Sequence, residues 1–204
     1  MKFTQIPANT FEQLQLNAGV LLSEFDPAEP VLNRTKIIGS TTGGNNFTDT
    51  PTYEDFASDV DNAPKNMKEF KRITERAVNL AGTFLTVDGT QGKRLVAAAD
   101  AGAADADGMV KITPRDYLVD DDFETLWFVG DYSDKNGNTN GGFIAIKMYD
   151  VLNTAGFALQ TGDRAKGQFA FTFMAHYTIE NPDRVPYEMY IAPGADEEDE
   201  TEGE

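Results

Sequence analysis

The stretch QFAFTFMAHYTI, from Gln168 to Ile179, decides the fold class of this chain. Large apolar side chains occupy every second position of its first half and recur in its second half. A period of two in aromatic and β-branched residues is the pattern of a half-buried strand. The pattern therefore predicts a strand over 168–179 whose core-facing side carries Phe169, Phe171, Phe173, Tyr177 and Ile179.

The same strand signals recur along the sequence. GFIAIKMY at 142–149 places Ile144, Ile146 and Met148 on one face. Further strands are predicted at 20–25, 31–38, 78–87, 125–130, 156–161 and 185–192. So many strand segments in one chain predict a mainly β fold.

Two segments have the spacing of helices. In NAPKNMKEFKRI at 62–73, Asn62 is a candidate cap, and Met67, Phe70 and Ile73 form an apolar stripe. In TQGKRLVAAAD at 90–100, Thr90 is a candidate cap, and Gly102 follows as a stop signal. We therefore expect one or two helices, the second of them short, to flank the sheet.

Length and composition point to one domain. The chain has 204 residues, 40% of them hydrophobic, which suits a single core. We assign residues 1–192 to this domain and 193–204 to a disordered acidic tail. No apolar run reaches the roughly 20 residues of a membrane span, and no secretory signal is recognisable. We expect the chain to be made in a cytoplasm, and the absence of cysteine excludes disulfides and thiolate metal sites.

Charge is the strongest compositional feature. The sequence has 34 acidic and 17 basic residues, a net charge of −17. Seven of the acids lie in the last ten residues, ADEEDETEGE, so the body is acidic even without its tail. An acidic surface repels nucleic acid and anionic membranes. We expect no specific nucleic-acid binding and no membrane partner, although a purely solubilising surface would also explain the charge.

Residues 39–62, GSTTGGNNFTDTPTYEDFASDVDN, are rich in Gly, Thr and Asp and contain five acids and no base. This composition predicts a loop that is too long for an ordinary connection. Phe47, Tyr53 and Phe56 are its widely spaced aromatic residues. Such residues could anchor in a neighbouring subunit, or they could pack back on their own sheet.

The stretch GDYSDKNGNTNGGF, from Gly130 to Phe143, has the residue types of a calcium loop. With Asp134 as the first ligand, however, the obligatory glycine is replaced by Thr139 and the bidentate glutamate by Ala145. Asn136-Gly137 between two strand segments is the signal of a type I′ hairpin turn. We therefore predict a hairpin that binds no metal.

Catalytic motifs are missing from the sequence. His176 is the sole histidine and falls in a strand, where packing is its expected role. GSTTGG at 39–44 lacks the lysine of a phosphate loop, and no serine has a nucleophile-elbow context. Asp120–Asp122 suits a solvated loop or a helix start, and Asp105 to Gly108 suits a tight turn. We expect a protein without catalytic residues, cofactor or metal, and not an enzyme.

Several segments in order resemble the major tail protein, or tail tube protein, of long non-contractile-tailed bacteriophages and prophages. They are FEQLQLNAGVLLSEFDP at 11–27, IIGSTTGGNNF at 37–47, FASDVDNAPKNMKEFKRI at 56–73, NLAGTFLTVD at 79–88, WFVGDYSDKNGNTNGGFIAI at 127–146 and AKGQFAFTF at 165–173. The resemblance covers 11–191 and leaves out the acidic tail.

This resemblance implies a β-sandwich with a flanking helix. It also implies a structural virion protein that forms hexameric rings, which stack into a hollow tube. The implied partners are further copies of the chain and the tail's terminator, tape-measure and tip proteins, while DNA passes through the lumen without specific binding. In this role residues 39–62 would join one ring to the next through Phe47, Tyr53 and Phe56.

Two other functions stay open at this point. The chain could be the tube protein of a contractile tail or injection device. It could also be an acidic β-sandwich binding module, such as a capsid decoration protein or a carbohydrate binder.

Overall fold

The computed structural model describes residues 5–7, 10, 14–132 and 142–192. The described chain is 44% strand and 10% helical, which confirms the mainly β class with a flanking helix. Its helix is α1 (Gly89–Val96), and short 3-10 turns span Arg34–Lys36, Lys68–Phe70 and Asp120–Asp122. The strands are β1 (Gln15–Leu22), β2 (Asn46–Asp55), β3 (Lys71–Phe84), β4 (Ala99–Ala101), β5 (Ile112–Pro114), β6 (Glu124–Tyr132), β7 (Gly142–Asn153), β8 (Ala158–Gln160), β9 (Gln168–Met174) and β10 (Tyr187–Ala192).

Eight of these strands form one antiparallel sheet in the order β1-β6-β7-β9-β3-β2, with β10 paired to β7 and β8 to β9. The sheet turns a corner along β7. The first half of β7 pairs with β10, and its end, Leu152 and Asn153, pairs with β9. Asp150 lies between these pairings with a φ of 49°, a backbone conformation that L-residues seldom adopt. This corner divides the sheet into a β1-β6-β7-β10 half and a β2-β3-β9-β8 half.

The two halves share one core. Phe171 of β9 stacks on Phe84 of β3 at a centroid distance of 4.4 Å and lies 4.8 Å from the Phe173 ring. Leu126 of β6 and Met148 of β7 belong to the same buried cluster from the other half. The alternation of β9 thus correctly predicts its buried face at Phe171 and Phe173, while Phe169 is half-buried at the margin.

The strand predicted at 168–179 is shorter than its pattern. β9 ends at Met174, and Tyr177 and Ile179 are 40% and 99% exposed. The chain leaves the sheet because the backbone N–H of His176 bonds to the carbonyl of Tyr149, at the corner of β7. The His176 ring lies 2.8 Å from the Asp150 carbonyl oxygen through Nδ1. His176 therefore supports the corner, in line with the packing role expected for it.

Two local predictions about α1 are wrong. The helix is capped by Asp88, whose carboxylate accepts a hydrogen bond from the Gln91 N–H at 2.7 Å, and not by Thr90. It ends at Val96 because Ala97 takes a φ of 71°, well before Gly102. The helix position itself is confirmed.

Two predicted elements are absent from the described structure. The 62–73 segment is not a helix, since it contains only the 3-10 turn Lys68–Phe70 before β3 begins at Lys71. The 31–38 segment is not a strand. There the Asn33 side chain accepts from the Thr35 N–H and starts the turn Arg34–Lys36.

The predicted hairpin around Asn136-Gly137 is confirmed in its strands. β6 and β7 pair antiparallel as far as Tyr132 and Gly142. The turn with Asp134 and Thr139 lies outside the described residues, as does the acidic tail at 193–204. Ala145, which a calcium loop would need as a glutamate, is fully buried in β7.

The two acidic turns of the sequence are also formed. Asp105 and Gly108 close a tight turn through a 3.0 Å backbone hydrogen bond, as predicted. Asp120–Asp122 is a 3-10 turn, but its last carboxylate is not solvated: Asp122 is buried 2.7 Å from Arg115. Within the described chain, no helix combines the length and apolarity that crossing a membrane requires.

Candidate assembly surface

The segment predicted as a long loop at 39–62 contains a strand instead. β2 pairs with β3 from Asn46–Ala81 to Asp55–Lys71, with one bulge after Thr52. Threonines at 48, 50 and 52 supply the β-branched positions of this strand. Its proline, Pro51, is tolerated because β2 is an edge strand of the sheet. The segment is therefore mainly one side of a hairpin.

The outer half of this hairpin extends past the rest of the sheet. β9 pairs with β3 only from Asn79 to Phe84, so in the described structure residues 71–77 have β2 as their only strand partner. We call residues 50–76 the arm: the outer parts of β2 and β3 and the 56–70 segment that joins them. A two-stranded ribbon alone in water is marginally stable. Both outer edges of the arm are thus free of partners from the described part of the chain, and the arm gains stability from any strand or surface that covers it.

One face of the arm is continuous with the face of β2 and β3 that packs on the core. At the inner end, Phe47 of β2 packs against the core and lies 5.3 Å from the Tyr187 ring. Farther out on the same face are Tyr53 and its register partner Ile73, which are 56% and 47% exposed. Phe56 and Phe70 continue the apolar character at the tip, with 55% and 40% of their surface exposed.

The tip of the arm is held by one carboxylate. Asp55 accepts the Ala57 N–H at 3.0 Å and the Asn66 N–H at 2.8 Å. The backbone N–H of Phe56 bonds to the Phe70 carbonyl, which closes the ribbon. The hydrogen bonds from Asn66 and Ala57 lower the pKa of Asp55 below its usual range. The exposed aromatic residues are thus presented on an ordered turn.

A second carboxylate fixes the base of the arm. Asp49 of β2 forms an ion pair with Arg76 of β3 and accepts the Tyr187 hydroxyl at 2.9 Å. Tyr187 belongs to β10, in the other half of the sheet. Burial, and then this hydrogen bond, raises the pKa of Tyr187. Because Asp49 joins β2, β3 and β10, it sets the direction in which the arm leaves the body.

The two sides of the arm carry opposite charge. From 50 to 61 the arm has four acids, Glu54, Asp55, Asp59 and Asp61, and no base. The returning segment 65–76 has five bases, Lys65, Lys68, Lys71, Arg72 and Arg76, against Glu69 and Glu75. These five are nearly a third of the 17 basic residues of the chain. The arm therefore has an acidic strand and a basic strand on a body that is otherwise strongly acidic.

The structure separates the three predicted contact residues. Phe47 packs on its own sheet, whereas Tyr53 and Phe56 are exposed on the arm. Ile73, Phe70 and Val60 belong to the same exposed set and were not predicted as contacts. The spacing of Phe70 and Ile73 fits the apolar stripe of a helix. The helix predicted for this segment is the reason that the start of β3 was not predicted. The inter-subunit role of Tyr53 and Phe56 stays a prediction.

Neither comparison with known proteins gives a match. No family model matches the chain. No curated protein matches it either. Among the residues described by the structure, no group of three or more histidine and carboxylate side chains is arranged to hold a metal ion.

Proposed function

We propose that the protein is a structural subunit that assembles with copies of itself into rings, and that these rings stack into a hollow tube. The observation that carries this proposal is the arm, whose apolar face and two strand edges are left uncovered by the described residues of the single chain. Long exposed strand edges are an aggregation hazard unless a partner covers them. An assembly of identical subunits provides such a partner.

The geometry of the arm favours a directional contact. The apolar face and the basic strand both belong to the outer end of the β2–β3 hairpin. An arm can therefore bind a different surface of the next copy instead of pairing symmetrically with that copy's arm. A contact in which an arm binds a different surface of the next copy is heterologous, and repeated heterologous contacts give closed rings or open filaments. Both arrangements are compatible with a tube.

The segments that resemble, in the same sequence order, those of a phage tail tube protein make this proposal more specific. They supply the six subunits per ring, the phage virion as location, and the terminator, tape-measure and tip proteins as partners. The net charge of −17 supports the role of a DNA conduit. B-DNA carries about one negative charge per 1.7 Å of its axis and would adhere to a basic lumen, whereas an acidic lumen lets it slide. In this role the protein is not an enzyme.

A paired substitution tests the role of the arm. We expect Tyr53→Ser with Ile73→Ser to abolish large assemblies, because it removes the exposed apolar face while leaving the core unchanged. The matched control is Met109→Ser with Leu118→Ser, two apolar residues that are 67% and 51% exposed outside the arm. Sedimentation velocity separates subunits from assemblies, and circular dichroism checks that both variants are folded.

The outcome also separates the other candidate functions. If both variants assemble like the wild type, the arm does not hold the assembly and the proposal fails. A wild-type protein that stays monomeric would favour a binding module, such as a decoration or carbohydrate-binding protein. Tubes that bind a sheath protein would favour a contractile device.

A further inference from the structure

A groove lies on the face of the β1-β6-β7-β10 half that points away from the main core. Its volume is about 430 Å³. β1 borders it with a bulge, where Gly19 has a φ of 68° and a β-carbon would approach the Phe128 ring to 2.6 Å. The apolar lining consists of Val20, Phe25, Pro30, Leu32, Val129 and Phe143.

The groove is apolar inside and acidic at its rim. Leu32 is 50% exposed, and its neighbour Val31 is 76% exposed. The segment 17–32, which supplies part of the lining, contains three acids, Glu24, Asp26 and Glu29, and no base; Glu24 forms an ion pair with Lys36, and Asp26 and Glu29 flank the lining residues Phe25 and Pro30 in sequence. Asp131 of β6 lies in the lining as a fourth carboxylate. An occupant that fits this groove has apolar side chains at its centre and positive charge beside them.

The arm has both properties. Tyr53, Phe56 and Ile73 provide exposed apolar side chains, and Lys68 and Lys71 lie on the returning side. Arg72 pairs in register with Glu54 and therefore lies on the opposite face of the ribbon. The Lys71 ammonium group is 5.5 Å from the centroid of the Tyr53 ring, so charge and aromatic surface adjoin. A cavity of about 150 Å³ accommodates one benzene ring, and the groove therefore has room for two aromatic side chains.

We infer that the arm of one copy inserts Tyr53 and Phe56 into the groove of a second copy, with its basic strand toward the acidic rim. This inference rests on the proposed self-assembly and names the two surfaces that meet. The contact is heterologous, so each copy uses its arm once and its groove once. The acidic strand of the arm, with Glu54, then faces away from the rim.

The absence of native cysteine makes cross-linking a direct test. Ser58→Cys places a thiol at the exposed arm tip, and Ala28→Cys places one beside the groove without altering its apolar lining. Wild-type-like folding is expected for both variants because both positions are exposed. The two proteins are purified separately, mixed and treated with a short bifunctional thiol reagent.

We expect a covalent dimer of the Ser58→Cys and Ala28→Cys chains. The matched control pairs Ser58→Cys with Ala104→Cys, another exposed alanine, and should give at least tenfold less dimer. Equal yields for the two pairs, or no dimer, would overturn the inference. No dimer is also the result expected if the chain's own ends fill the groove. Tubes without this cross-link would leave the proposed function standing and refute only the arm–groove contact.

Charge reversal tests the orientation of the arm. Lys68→Glu with Lys71→Glu should reduce the cross-link at least tenfold, and adding Asp26→Lys with Glu29→Lys to the partner should restore it. Reversal on the acidic strand, Glu54→Lys with Asp59→Lys, should not reduce it. The opposite ranking would show that the basic strand does not face the groove.

Discussion

Replacing Phe171 by alanine tests the shared core of the two sheet halves. The Phe171 side chain is 2% exposed and stacks on Phe84, and its ring centroid lies 4.8 Å from that of Phe173. Losing its burial costs about 2–3 kcal/mol of transfer free energy. The cavity left beside the Phe84 and Phe173 rings raises the total to about 3–5 kcal/mol. We therefore expect Phe171→Ala to remove a large part of the free energy of unfolding.

Urea unfolding of the monomeric protein measures this loss. Trp127 is the sole tryptophan and is 5% exposed, so its fluorescence reports the transition. At a denaturant slope of about 2 kcal/mol per M, the midpoint should fall by about 1.5–2.5 M. The control is Ile179→Ala, at a residue that is 99% exposed, for which we expect a change within about 0.5 kcal/mol. A loss below about 1 kcal/mol for Phe171→Ala would mean that the buried face of β9 is misassigned.

Three further predictions concern the arm. Asp49→Ala should destabilise the fold by about 1–3 kcal/mol in urea melts, because Arg76 and Tyr187 lose their shared acceptor, whereas Tyr187→Phe should cost only about 1 kcal/mol; equal losses would contradict the central role of Asp49. The pKa of Asp55 is lowered in the folded arm, so its stabilising effect is complete above the ordinary aspartate pKa of about 3.9 and is lost as the pH falls through the lowered value. An NMR titration should show the Ala57 and Asn66 amides shifting in that range, and amides that stay unchanged would refute it. In hydrogen exchange of the monomer, arm amides should exchange at least tenfold faster than those of residues 79–81, which lie between β2 and β9, and they should become protected on assembly. Protection that is already equal in the monomer would argue against an arm that needs a partner.

The sequence predicts strands best where burial repeats every second residue. In β7 the buried residues Ile146 and Met148 are two positions apart, and so are Phe171 and Phe173 in β9. This spacing identifies the core face, because both strands pack on the shared core. The end of β9 could not be read from the same pattern. It is set by hydrogen bonds to the distant corner of β7, and such tertiary contacts leave no local signal.

The arm was missed because its apolar residues are not buried. Composition alone marks 39–62 as a loop, although the threonines at 48, 50 and 52 alternate as in a strand. On the returning side, Phe70 and Ile73 are three residues apart, which fits a helix as well as a 3-10 turn followed by a strand. The sequence nevertheless singles out Tyr53 and Phe56 as isolated aromatic residues in a polar segment, and both are exposed in the structure.

Assembly itself is the most direct test of the proposed function. Negative-stain electron microscopy of the purified full-length chain should show hollow tubes or rings with sixfold symmetry, and their number should rise with protein concentration. The Tyr53→Ser, Ile73→Ser variant, imaged at the same concentration, should show only small particles. A wild-type protein that remains a single small particle at every concentration and ionic strength would contradict the proposal that it forms a tube.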